Sequence, residues 1–151
     1  MLNIYVDADA CPVKMEIYRV AERYDLDVIV VANSWMRVPG SGSIRLKVVG
    51  DGFDAADDWI ADSVECDDIV ITGDIPLAAR CLEKGAAVIG PGGRPFTEDN
   101  IGEVVATRDL MAELRETREI SGGPPPFGKQ DRSRFLQRLD EAIQTIRRKK
   151  R

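Results

Sequence analysis

The chain contains no histidine in 151 residues. That excludes Ser-His-Asp and Cys-His catalysis, and it excludes zinc held by imidazole. Cysteine is scarce too: Cys11, Cys66 and Cys81 are odd in number and far apart. No CxxC pair exists, so neither a zinc knuckle nor a disulfide framework is expected, and three reduced thiols are. No apolar run approaches the roughly 20 residues that span a membrane. The N-terminus lacks a basic region, an apolar core and a cleavage site in series. Those two absences give the expectation of a cytoplasmic protein.

Charge is present but unevenly placed. Residues 1–117 hold 11 basic and 22 acidic side chains, a net of −11, whereas residues 118–151 hold 10 basic and 4 acidic, a net of +6. A basic tail on an acidic body can draw a polyanion toward carboxylates that would otherwise repel it. The run Arg147-Arg148-Lys149-Lys150-Arg151 also suits a solvated helix end, where cations complement the helix dipole.

Strands alternate with helices along the chain. Apolar runs at 2–7, 27–32, 44–49, 68–72 and 86–89 read as strands, the third nearer an edge because it carries Arg45 and Lys47. Helical spacing follows over 13–24, from Asp54 to about 64, from Asp74 to 84, and over 107–116. Gly85 is expected to stop the third of these, and Thr97 to cap a short helix. The pattern gives a three-layer α/β/α fold with a mainly parallel sheet of about five strands. Its expected division is an α/β domain over 1–117, a Gly/Pro-rich linker over 118–130 and an amphipathic helix with a basic end over 131–151. Phe135, Leu136, Leu139, Ile143 and Ile146 give that helix one apolar side, for the domain itself or for a second subunit in a homo-oligomer.

The candidate site is carboxylate. Asp7 and Asp9 close the first strand, and their i, i+2 spacing aims both at one side. Asp54 and Asp57 are neighbours on one helical face, and that helix leads into the strand ending at Asp74. In an open parallel sheet ligands bind at the carboxyl ends of the strands, where strand order reverses. Clustered carboxylates resist ionising together unless a cation neutralises them, and oxygen-only ligation suits Mg²⁺ or Mn²⁺. Asp7, Asp9, Asp54, Asp57 and Asp74 are therefore the expected metal ligands, with Asp7, Asp9, Asp57 and Asp74 catalytic. Helix capping competes for Asp9 and Asp74, and the dipole alone favours Asp54 and Asp57 at a helix start. Asn33, Ser34, Arg37, Arg45 and Lys47 are candidate phosphate contacts. Gly90-Pro-Gly-Gly-Arg94 offers backbone donors without the spacing of a Walker loop. Cys11 lies among acids that raise its pKa, against a nucleophilic role.

Asp7-Ala-Asp-Ala-Cys-Pro-Val-Lys14, Gly52-Phe-Asp-Ala-Ala-Asp57, Ile69-Val-Ile-Thr-Gly-Asp-Ile-Pro-Leu-Ala78 and Lys84-Gly-Ala86 together resemble the YaiI/YqxD family of bacterial proteins. So do Asn100-Ile101 and the stretch from Gly122-Gly-Pro to Asp131-Arg132. The resemblance spans nearly the whole chain. That family in turn resembles the PIN-like superfamily, which includes metal-dependent ribonucleases. The resemblance implies a PIN-like fold, with the acidic positions at Asp7, Asp9, Asp54, Asp57 and Asp74. PIN nucleases commonly add a glutamate from an early helix, for which Glu16 is the nearest candidate. A divalent-metal-dependent nuclease acting on RNA is the expectation. The alternatives are an RNA- or partner-binding protein on a nuclease-like scaffold, or a haloacid-dehalogenase-like phosphatase using the DxD as nucleophile and acid/base. The last lacks its expected acid after Asp74, where Ala78 and Arg80 stand.

Overall fold

The computed structural model describes residues 2–8, 11–40, 42–50, 52, 54–98, 100–101 and 128–149. Asp9, the expected helix over 107–116, most of the expected linker, and Lys150 and Arg151 lie outside them.

Among the described residues, six strands form one sheet: β1 (Asn3–Asp7), β2 (Asp27–Ala32), β3 (Ile44–Val48), β4 (Ile69–Ile71), β5 (Ala87–Ile89) and β6 (Pro95–Phe96). The order across it is β3-β2-β1-β4-β5-β6, all pairs parallel except β5 with β6. The three-layer α/β/α expectation is met, with one more strand than anticipated. The extra strand is a two-residue return after a tight turn, in which the Gly90 N–H donates to the Arg94 carbonyl (2.8 Å) and the Gly93 N–H to the Gly90 carbonyl (2.9 Å). Those two donors are used within the hairpin.

Among the described residues, four helices cover the faces: α1 (Lys14–Tyr24), α2 (Ala55–Ser63), α3 (Ile75–Glu83) and α4 (Lys129–Lys149). Alternation along the strands sorts the core into two layers. Ile4, Val6, Val28, Val30, Ile69 and Ile71 meet α1 and α4 on one side, with Ile17, Phe135, Leu139 and Ile143 among the fully buried partners. Tyr5, Ile29, Val31, Val70 and Val88 meet α2 and α3 on the other, with Ile60, Leu77 and Cys81. The apolar side of α4 is thus covered by its own domain, which leaves only its polar side for any second subunit.

Element ends follow local chemistry. α1 begins after a turn at Pro12-Val13, with Val13 at its N-cap and no side-chain cap bond. Gly85, with φ +85°, follows the last turn of α3 as expected, a conformation that glycine adopts at no steric penalty. At the end of the sheet away from the candidate site, buried Asp68 accepts from the Asn3 N–H (3.0 Å) and the Glu65 N–H (2.9 Å) and so aligns β1 with β4.

Candidate functional site

The order of the sheet decides where the acids meet. From β1 the chain steps to β2 and β3 on one side, then crosses to β4, β5 and β6 on the other. The reversal lies between β1 and β4, the position at which open α/β sheets form their ligand crevice. Asp7 is the last residue of β1, and Asp74 stands three residues beyond β4 as the N-cap of α3.

Thr72 joins these two strand ends. Its hydroxyl donates to Asp7 Oδ2 (3.0 Å) and accepts from the Asp74 N–H (3.0 Å). Thr72 is 1% exposed, so its single hydroxyl holds both acids from beneath. Asp74 Oδ1 then accepts from the Leu77 N–H (3.0 Å), which fixes its carboxylate and satisfies one of the open donors of α3. α2 enters from the side. Asp54 is its N-cap residue but makes no side-chain cap bond.

Asp57, in the first turn of α2, is the electrostatic centre of the group. Its pKa is raised to about 6, first by burial and then by the charges of Asp74, Asp7 and Asp54. When protonated, its carboxyl shares a hydrogen bond with Asp74. The proton answers the same shortage of positive charge that a cation would. Asp7, Asp54 and Asp74 are thus near enough to Asp57, at the switch point, for their charges to act on its proton. Among the described residues, no group of three or more Cys, Asp or Glu side chains is drawn in tightly enough to hold a metal ion as it stands. The donor set nonetheless suits a hard cation, being carboxylate oxygen throughout. Asp58, one step round the helix, leaves the group and pairs with Arg80 (2.9 Å).

Glu16 does not join them. It is buried beneath α4, where Oε1 pairs with Arg132 Nη1 (3.1 Å) and Oε2 has no hydrogen-bond partner. Arg132 also donates to the Pro12 carbonyl (2.9 Å), so the pair ties the start of α1 to α4. Cys11 is buried, and its thiol pKa is raised chiefly by that burial, with Asp7 and Glu16 adding to it. A thiolate nucleophile is disfavoured, as expected, although burial outweighs the acids as the cause. Thr72 was not foreseen as a site residue. The signal lay in Thr-Gly-Asp at a strand end, but its meaning depends on β4 lying beside β1.

The family model described as "Uncharacterized BCR, YaiI/YqxD family" matches residues 5–145. A UPF0178 protein of Parvibaculum lavamentivorans is 60% identical over 149 residues, which cover 99% of this chain and 98% of the relative. One from Rhodospirillum centenum is 56% identical over 152 residues, covering 98% of this chain and 99% of the relative. One from Rhodopseudomonas palustris is 55% identical over 150 residues, covering 99% of this chain and 95% of the relative. No solved structure matches the chain. With a family model over nearly its full length and relatives of this identity end to end, the chain belongs to the YaiI/YqxD family.

Proposed function

We propose that the protein is a divalent-metal-dependent nuclease acting on RNA. The observation that carries this reading is the convergence of Asp7, Asp54, Asp57 and Asp74 at the strand-order reversal between β1 and β4. The three-layer architecture is consistent with a PIN-like fold, on which such a site would belong. Asp7, Asp57 and Asp74 would hold Mg²⁺ or Mn²⁺, with Asp9 and Asp54 beside them or on a second ion. A divalent ion bound there supplies an activated water and offsets charge on the phosphate under attack.

The chain's own groups do the positioning. Thr72 and the Leu77 N–H fix the carboxylates of Asp7 and Asp74. In the metal-free site Asp57 is held protonated up to about pH 6, and a bound cation would take the place of that proton. No described helix is long and apolar enough to cross a membrane.

The test is cleavage of fluorogenic RNA, single- and double-stranded, with Mn²⁺ or Mg²⁺ and with EDTA. Metal-dependent cleavage that Asp7→Asn and Asp74→Asn each reduce by 10²-fold or more is expected, from the loss of electrostatic stabilisation at the reacting phosphate. RNA binding without metal-dependent cleavage selects the second reading, a non-enzymatic RNA-binding protein. One observation favours that reading: Asp7 and Asp74 each commit an oxygen to a protein donor.

A further inference from the structure

β3 is an edge strand, and its side chains alternate between the two faces. Ile44 and Leu46 turn toward α1, whereas Arg45 and Lys47 turn toward α2 and are exposed. Asp7 pairs in register with Val31, and Val31 with Lys47. The three occupy one row across the sheet and point to the same face. Neighbouring strands are about 4.8 Å apart, so Lys47 begins roughly 10 Å along the row from Asp7.

α2 closes the other side of this space. Its Trp59 is half-buried, 6.0 Å from the Tyr5 ring at an interplanar angle of 55°. Lys47 Nζ lies 5.7 Å from the indole centroid. Between α2 and the β3 edge runs an open groove of about 330 Å³, lined by Tyr5, Ile29, Arg45, Lys47, Trp59 and Ser63 among others. That volume is at the lower end of small-molecule pockets. The floor is aromatic and aliphatic, and the rim is cationic. The two cations stand on a body whose residues 1–117 are net −11, and Arg45 pairs with Asp27 (3.9 Å) while Lys47 lies over the indole. α2 carries both Asp57 and Trp59, which, two residues apart, project from different sides of the helix.

We propose that this groove is a nucleotide subsite for single-stranded RNA, with a base seated against the Trp59 indole and phosphates on Lys47 and Arg45. A flat apolar surface beside paired cations is the combination that single-strand binders use, stacking for the base and charge for the backbone. The groove stands independently of the nuclease reading: Val31, between Lys47 and Asp7 in the register row, is fully buried under α2, and the lining reaches Asn3 and Ser63 at the opposite end of the strands. A purely structural role for the pair, with charged side chains guarding an exposed sheet edge, is the competing account.

The experiment is equilibrium binding of a short fluorescein-labelled oligouridylate in EDTA, followed by anisotropy at several salt concentrations. Trp59→Leu should weaken binding roughly tenfold or more, the usual effect of losing one stacked base, while Trp59→Phe retains most of it. Lys47→Gln and Arg45→Gln, both at exposed positions, should each lower the salt slope by about 0.7. In a Trp35→Phe background, saturating oligouridylate should quench the emission of the remaining tryptophan. Heparin, a polyanion without bases, should bind Trp59→Leu as well as wild type.

Equal affinity of folded Trp59→Leu and wild type for the oligouridylate overturns the subsite. So does the absence of oligouridylate binding by wild type at low salt, or an equal loss of heparin binding in Trp59→Leu. Cleavage is read separately. Trp59-dependent binding in a protein that shows no metal-dependent cleavage supports the subsite and overturns only the nuclease reading.

Discussion

Asp57 is where the physics of the site is most exposed to measurement. Its folded-state pKa of about 6 lies above the 3.8 of an unperturbed aspartate. The protonated form is thus favoured by folding. Well below pH 3.8 the carboxyl is neutral in both folded and unfolded chains, and its stabilising contribution is fully present. That contribution is lost as pH rises through 6. In EDTA, Asp57→Asn should therefore melt with wild type well below pH 3.8 and increasingly above wild type from there to pH 7, by circular dichroism; a constant difference would refute the raised pKa. Millimolar Mn²⁺ or Mg²⁺ should raise the wild-type melting temperature near pH 7, because a ligand that binds only the folded state stabilises it. The double variant Asp7→Asn/Asp74→Asn should lose that rise, as read by thermal melts with and without metal. Asp7, Asp54, Asp57 and Asp74 could be read from sequence because strand ends and helix starts are visible in periodicity. Thr72 could not, since its hydroxyl matters only through a strand 65 residues away. Nor could the Lys47–Trp59 pair, which joins two elements across a groove.

The elements divide along the same line. The parallel strands and the helices between them follow from apolar runs and their spacing, and the edge position of β3 from its charges. β6 was missed because it has only two residues, one of them Pro95, and exists by pairing with β5. The Gly-rich loop before it offers backbone donors in the sequence but lacks the spacing of a Walker loop. In the fold it is a turn against which α4 packs. Gly93 has φ +89°, and a Cβ there would lie 3.1 Å from the Phe135 nitrogen and 3.2 Å from the Arg134 carbonyl carbon. Gly93→Ala should accordingly destabilise the protein by roughly 1–3 kcal/mol through backbone strain and displacement of α4. Phe135→Ala, at a fully buried position, should cost about 3–5 kcal/mol. Urea unfolding measures both. A neutral Gly93→Ala would mean that α4 sits away from the turn.

At the scale of the whole molecule, the division between an acidic body and a basic C-terminal segment takes on a different meaning once α4 is placed. The basic end of the helix lies against the domain: Arg147 donates to the Tyr24 carbonyl (2.7 Å) and stands 4.9 Å over the Tyr24 ring, and Lys149 pairs with Asp67 (3.8 Å). Arg147 is thereby an anchor of α4 as well as a charge. Removing residues 147–151 would confound lost packing with lost electrostatics. Removal of 148–151 keeps the anchor and deletes four cations. If all four touch phosphates, the slope of log affinity for oligouridylate against log salt should fall by about 3, at roughly 0.7 per contact on a single strand. Metal-dependent cleavage of a short oligonucleotide should persist, because the carboxylates at the β1–β4 reversal are untouched. Trp59→Leu should do the reverse, lowering affinity with little change in slope, since stacking releases no counterions. An unchanged slope in the truncated protein would show the segment to be a solvated helix end held by Arg147, leaving Arg37, Arg45 and Lys47 as the cations that meet RNA.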